Sequence, residues 1–417
     1  MRAESKILLI ITIILLTSCK SRFIAVERDD FASSDSTFIN YLQAKDIEVT
    51  DSNSIEILNG GHMKFERMFQ DIRNAKHHIH LEYFNFRNDS INAELISLLA
   101  EKAAEGVEVR ALFDAFGNMS NNRPLKKSHL DDIRKQGIEI AKFDPITFPW
   151  INHAYHRDHR KIVVIDGVIG YTGGINVADY YLNGLEGVGK WRDMHSRVEG
   201  EAVSKLQDIF LAMWNRETGQ NVSGNEYYPK ATDSGGTSIA VVDRWPTRNA
   251  EVMRRAYANA IYSAKDSVKL ISPYFVPTKR VRNAIKDALK DSVEVEIMIS
   301  SKSDIPFTPD VVLYVAHKLM KKGAKVYMYD GGFNHSKVMS IDDRYYTIGS
   351  ANLNSRSLCY DYETNLFVFG KEDAERFHEY YELDKAECHL LTREEWKKRS
   401  WWRKFLGWLG DVLTPFM

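Results

Sequence analysis

The stretch HRKIVVID, residues 159–166, recurs at 335–342 as HSKVMSID, with Lys337 and Asp342 at the same offsets from His335 as Lys161 and Asp166 from His159. The match continues without a gap. GVIGYTGGIN follows the first aspartate and DRYYTIGSAN the second, so Gly173-Gly174 corresponds to Gly349-Ser350 and Asn176 to Asn352. Upstream, HIHLEYF followed by VEVRALFD is echoed by VKLISPYF followed by VEVEIMIS; downstream, an acid stands at Asp193 in WRDMHSRV and at Glu363 in YETNLFVF. Features repeated in one order over this distance mark two copies of one unit, so the fold must be one that can be built twice. At 417 residues the chain has room for both, each with its own core.

In an extended strand, side chains two apart share a face, so His159 and Lys161 look the same way from a largely buried strand ending at Asp166. Around that strand the hydrophobic pattern gives a helix at 63–75, a strand at 78–84, a helix at 91–105, a strand at 107–113 and a further helix at 201–215. Such alternation indicates an α/β sandwich with much of its sheet parallel. The polar, turn-rich stretch at 218–238 divides a first unit, 53–217, from a second, 239–395. Residues 20–52 read as a tether or edge extension.

The N-terminus, MRAESKILLIITIILLTSCKS, has basic Arg2 and Lys6, an apolar run from Ile7 to Leu16 and then Cys19. The run is short for a bilayer span and has the layout of a secretory signal. LTSC resembles the bacterial lipoprotein signal, which implies lipid on Cys19 and a place in the cell envelope, on a membrane surface facing the periplasm; a plain signal anchor is the alternative. Cys359 and Cys388 remain, and a disulfide between them is possible in that compartment.

The paired H-x-K-x4-D motifs resemble the phospholipase D superfamily. The surrounding IHLEYFNF, TGGIN, WRDMHSRVEG, GSANLNSRS and YETNLFVF are similar to bacterial cardiolipin synthases from about residue 54 to the C-terminus. The resemblance implies two tandem phospholipase D-like α/β/α sandwich domains forming a monomeric pseudodimer. It also implies transfer of a phosphatidyl group between phosphatidylglycerol molecules through a phosphohistidine, with His159 as the usual nucleophile and Asp193 and Glu363 orienting the histidines. Typical members begin with membrane-spanning helices, and this chain departs from them in its signal.

The residue types suit that chemistry independently. An anionic phosphodiester needs cations on its non-bridging oxygens, a nucleophile, and an acid for the leaving alkoxide. Lys161 and Lys337 supply the charge, Asn176 and Asn352 further donors, and His159 and His335 the other two roles if one imidazole is neutral and the other protonated. Asp166 and Asp342 complete the catalytic set, although strand-end positions suit turn aspartates equally. No metal or organic cofactor is required. A hydrolase would differ only in using water as acceptor, a secreted nuclease would want a basic groove, and a lipid-binding module without activity would not need both motifs. The net charge of −1 gives no footprint for nucleic acid.

Other residues attract notice. His153, His156 and His159 are spaced by three, without the companions a zinc site needs. HHIH at 77–80 reads as surface and strand alternation, and Glu82 either lines the site or is a buried structural carboxylate. The tail, 396–417, sets Trp401, Phe405, Trp408 and Val412 at helical spacing behind Lys397, Lys398, Arg399, Arg403 and Lys404. That composition suits an anionic membrane surface; a terminal helix packed on the protein's own core is the alternative.

Overall fold

Each motif aspartate turns a hairpin. Asp166 (φ 53°) and Gly167 (φ 68°) both adopt left-handed backbone, and the Val168 N–H donates to the Ile165 carbonyl (3.1 Å). Asp342 (φ 54°) and Asp343 (φ 51°) repeat the turn, closed by the Arg344 N–H on Ile341 (3.0 Å). Two successive positive φ angles give the hairpin turn whose twist matches its strands, and aspartate tolerates that region better than most residues. The Asp166 carboxylate then accepts the N–H groups of Lys76, His77 and His78 at 2.8, 2.7 and 3.0 Å. Asp342 does the same for Lys265, Asp266 and Ser267 at 2.9, 2.8 and 2.7 Å. The hairpin is thereby fastened to the start of the neighbouring strand in both halves.

The computed structural model describes residues 35–145, 155–230 and 235–413. The first half contributes β1 (Val49–Asn59), β2 (His78–Tyr83), β3 (Glu108–Asp114), β4 (Glu139–Phe143), β5 (Lys161–Ile165), β6 (Ile169–Gly173), β7 (Lys190–Arg192) and β8 (Met194–Gly200). The second contributes β9 (Thr237–Arg244), β10 (Ser267–Ile271), β11 (Glu294–Ser300), β12 (Lys325–Tyr329), β13 (Gly332–Asn334), β14 (Val338–Ile341), β15 (Tyr345–Gly349), β16 (Glu363–Phe369) and β17 (Cys388–Leu390). One sheet runs β4-β3-β2-β5-β6-β8-β1 and continues as β9-β16-β15-β14-β10-β11-β12-β17. Apart from β17, the second series retraces the first, and the halves join where β1 pairs antiparallel with β9.

Helices cover both faces. Along β5, Val163 and Ile165 pack with the helices Gly61–Asn74 and Ser90–Ala104, while Ile162 and Val164 face a layer built on Ala202–Thr218. That second layer also holds Ile271, Met298, Val338 and Phe377, so this core layer spans both halves.

Three expectations change. Within this large sheet the parallel pairs are confined to β2-β3-β4 and β10-β11-β12, and the rest is antiparallel because the motif hairpins and β1/β9 lie between them. The supposed extension at 20–52 contributes, in its described part, the helix Asp35–Gln43 and the start of β1, which sits mid-sheet between β8 and β9. His78 and His80 are buried against Gln207 of the helix Ala202–Thr218, with His80 Nδ1 and Gln207 Nε2 2.8 Å apart. Cys359 and Cys388 are separate free thiols. The signal segment with Cys19, and His153, lie outside the described residues.

The clamps predict a stability effect. Asp166→Ala and Asp342→Ala each remove a carboxylate serving three backbone donors and should cost about 2 kcal/mol. Urea unfolding should show a lower midpoint with unchanged slope for each variant.

Candidate active site

Just before each motif, the backbone reaches into the opposite half. Asp158 bridges Tyr362, and the His159 N–H donates to the Tyr362 carbonyl (3.1 Å). On the other side β13 pairs in parallel with β7, and the His335 N–H donates to the Arg192 carbonyl (2.6 Å). Each histidine consequently lands beside the other half's acid. His159 Nδ1 lies 3.0 Å from Glu363 Oε1, and His335 Nδ1 lies 2.7 Å from Asp193 Oδ2. The first crossing is braced by Asp114, which accepts from Arg157 Nε and the Asp158 N–H, both at 2.9 Å. Arg160 adds a bond from its Nε to Asp243 of β9 (2.8 Å).

Both histidines open into one cleft of about 970 Å³, with Asn176 and Asn352 in its wall. Lys161 and Lys337 are buried beside them. Lys161 Nζ donates to the His159 carbonyl (2.5 Å); Lys337 Nζ donates to the His335 carbonyl and lies 2.9 Å from His335 Nδ1. The amide nitrogen of Asn176 already donates to the Tyr181 hydroxyl (3.2 Å) and that of Asn352 to Ser357 (3.5 Å), leaving each with one further N–H. The Glu363 carboxylate accepts from His159 Nδ1 and fixes that tautomer, so His159 Nε2 carries the free lone pair, whereas a protonated Asp193 donates to His335 Nδ1 and leaves the ring proton on His335 Nε2.

Burial sets the charges. It depresses His159 to about 4, with Lys161 adding to the effect, and pushes His335 well below its ordinary range, with Lys337 next in importance. Desolvation beside lysines therefore opposes a charge on either imidazole before an anion arrives. Burial likewise lowers Lys161 to about 7 and Lys337 to about 8, against the pull of Glu363 and Asp193. An arriving phosphodiester anion supplies the negative charge this set lacks.

The two carboxylates differ. Burial lifts Asp193 to about 7, so near neutral pH the Asp193–His335 pair can hold a proton. Burial also pushes Glu363 upward, but the bond from His159, the Lys161 cation and the Ser350 hydroxyl (Oγ to Oε2, 2.5 Å) outweigh it and keep this carboxyl below the usual range. Ser350 occupies the place of Gly174 in the doubled motif. A Cβ at Gly174 would lie 2.2 Å from Asp193 Oδ1, so that side has no room for a hydroxyl donor. His335 is also ringed by Trp191, Phe333 and Tyr274 at 5.3–5.9 Å, whereas Phe84 is the aromatic neighbour of His159, at 5.0 Å.

Six of the eight residues expected at the site, and both orienting acids, converge here. Asp166 and Asp342 do not. Their carboxylates are spent on the backbone clamps, which corrects their inclusion in the catalytic set. Glu82 is fully buried, 3.5 Å from Arg160, and is the structural carboxylate of the two alternatives. His156 is committed to the Tyr360 carbonyl (2.7 Å). Among the described residues no cluster of His, Cys, Asp or Glu forms a metal-binding group. The alignment of Gly174 with Ser350 carried the signal for the serine's bond to Glu363 without revealing it, and the aromatic ring around His335 comes from three separate segments.

Known proteins show the family. The family model described as "Cardiolipin synthase, PLD-like domain" matches residues 68–214 and again 257–385. Cardiolipin synthase 1 of Staphylococcus epidermidis is 37% identical over 380 residues, covering 90% of this chain and 76% of that protein. A cardiolipin synthase of Staphylococcus aureus is 38% identical over 372 residues, covering 88% and 74%. The crystal structure of phosphatidylserine synthase from Haemophilus influenzae superposes with a TM-score of 0.72 at 13% identity, over 91% of this chain and 100% of that one, a likeness of fold. The chain belongs to the cardiolipin synthase family of phospholipase D-like proteins.

Proposed function

We propose that the protein transfers a phosphatidyl group from one phosphatidylglycerol to the hydroxyl of another, giving cardiolipin and glycerol. The observation that carries this reading is the pair of crossed histidine–carboxylate bonds opening on one cleft beside two buried lysines. The wall includes Phe84, Phe116, Trp191 and Tyr274, which suits a lipid better than a polynucleotide.

The asymmetry supports a division of labour. His159, backed by the ionised Glu363, attacks phosphorus through Nε2. The bond to the glycerol oxygen breaks, and His335 gives that oxygen its Nε2 proton while Nδ1 takes the proton held by Asp193. Lys161 and Lys337 hold the non-bridging oxygens. In the second step His335 takes the proton of the acceptor hydroxyl, the new oxygen–phosphorus bond forms, and the bond to His159 breaks. LTSC supports lipidation of Cys19 and attachment to the envelope membrane, facing the periplasm. That tether is tested by fatty-acid labelling, which Cys19→Ala should abolish.

Incubation with phosphatidylglycerol vesicles should give cardiolipin plus glycerol; phosphatidic acid alone would mean that water is the acceptor. His335→Asn should slow the reaction by at least about a hundredfold. Its first step should recover on a nitrophenyl ester, whose leaving group needs no proton, while His159→Asn stays inactive on both.

The value of kcat/KM should fall as pH rises through about 7 to 8, where Asp193 loses its proton and Lys161 and Lys337 their charge. Ser350→Ala removes one of the groups holding Glu363 down. Its acid limb should move to higher pH, and Gly174→Ala, crowding Asp193, should abolish turnover.

A further inference from the structure

The helix Trp401–Leu413 is seated with its glycines inward. A Cβ at Gly407 would lie 2.5 Å from the Asp310 carbonyl oxygen, and one at Gly410 would lie 2.3 Å from Val311, both on the helix Thr308–Met320. Ion pairs fix the seat: Asp411 with Arg282 (2.7 Å) and Lys318 (2.9 Å), and Arg399 with Asp310. A helix serving only the protein's own core would turn its largest apolar side chains inward, and this one does the reverse. Trp401 is 75% exposed, and Trp402, Phe405, Trp408 and Val412 are exposed with it. The rings of the first four follow one another at 5.5–5.7 Å, an unbroken aromatic strip.

The strip leads to the cleft. Val311, under Gly410, lines the cleft, as do Ile305 and Phe307 just before that helix and Phe116 on the first-half side. Phe307 is 67% exposed and takes a left-handed backbone (φ 69°), unfavourable for an aromatic residue and found where structure is held for function. Lys397, Lys398 and Arg403 stand exposed at the start of the strip. Contiguous exposed aromatics flanked by cations match the headgroup region of an anionic bilayer.

Building on the proposed lipid substrate, we propose that the outer face of Trp401–Leu413, with Ile305, Phe307 and Phe116 at the cleft mouth, is the surface that docks on an anionic bilayer. The cleft then opens onto the membrane, and a headgroup reaches the histidines while its acyl chains stay near the lipid. Among the described residues no helix is long and apolar enough to cross a membrane.

The test uses the full chain with Cys19→Ala, so that no N-terminal lipid contributes, and vesicles of phosphatidylglycerol and phosphatidylcholine. Trp401→Ser/Trp408→Ser/Val412→Ser should weaken vesicle binding by about tenfold or more. Turnover of vesicle-embedded phosphatidylglycerol should fall in parallel, while turnover of short-chain, dissolved phosphatidylglycerol stays within twofold. Lys397→Ser/Lys398→Ser/Arg403→Ser, which leaves the aromatic strip intact, should lose the preference for anionic over neutral vesicles. Unchanged vesicle binding in both variants would overturn the proposal. So would a parent protein that forms dimers through this face and ignores vesicles. Failure of the parent to turn over either substrate would instead refute the enzymatic reading, leaving the vesicle arm to decide the docking face.

Discussion

The site depends on two hydrogen bonds that cross between the halves, Glu363 to His159 and Asp193 to His335. Neither half alone can orient its own histidine. The carboxylates hold the rings only while β7 stays paired with β13 and Asp158 with Tyr362. That requirement gives a purpose to features otherwise unexplained: one sheet continuous through β1 and β9, one core layer drawing on both halves, and Arg160 fastened to Asp243 across the junction. A duplicated fold with two independent cores could let its halves drift, and a drift of 1 Å would break the histidine bonds.

On that symmetric frame the electrostatics are unequal. The carboxylate beside His159 is a glutamate with a serine hydroxyl on it; the one beside His335 is an aspartate facing Gly174, where no hydroxyl fits, and aromatic rings surround that histidine. Desolvation therefore wins at Asp193 and loses at Glu363. Two identical sites would have competed for one role, and the difference lets one act as nucleophile and the other as proton carrier.

The doubled motif made the two halves and the four side chains His159, Lys161, His335 and Lys337 legible from sequence, because local spacing decides them. The crossed pairing was not legible. It is set by arms at 157–160 and 332–335 that meet partners over a hundred residues away, and no local pattern encodes that choice. β1 escaped notice because its sequence, VTDSNSIEILN, is polar for a strand paired on both edges, its place depending on β8 and β9. His78 and His80 looked like surface residues, yet Gln207 from a helix far along the chain satisfies them in the interior. The protonation states follow from burial, which only the assembled fold supplies.

The account is tested most directly by trapping the covalent intermediate in the two carboxylate variants and locating it by mass spectrometry at alkaline pH, with a nitrophenyl phosphatidyl ester as donor. Crossed pairing predicts that Asp193→Asn, which disables the His335 side, accumulates a phosphatidyl adduct on His159, whereas Glu363→Gln forms little or none. An adduct that accumulates in Glu363→Gln and is lost in Asp193→Asn would mean that each acid serves the histidine of its own half, and would contradict the account.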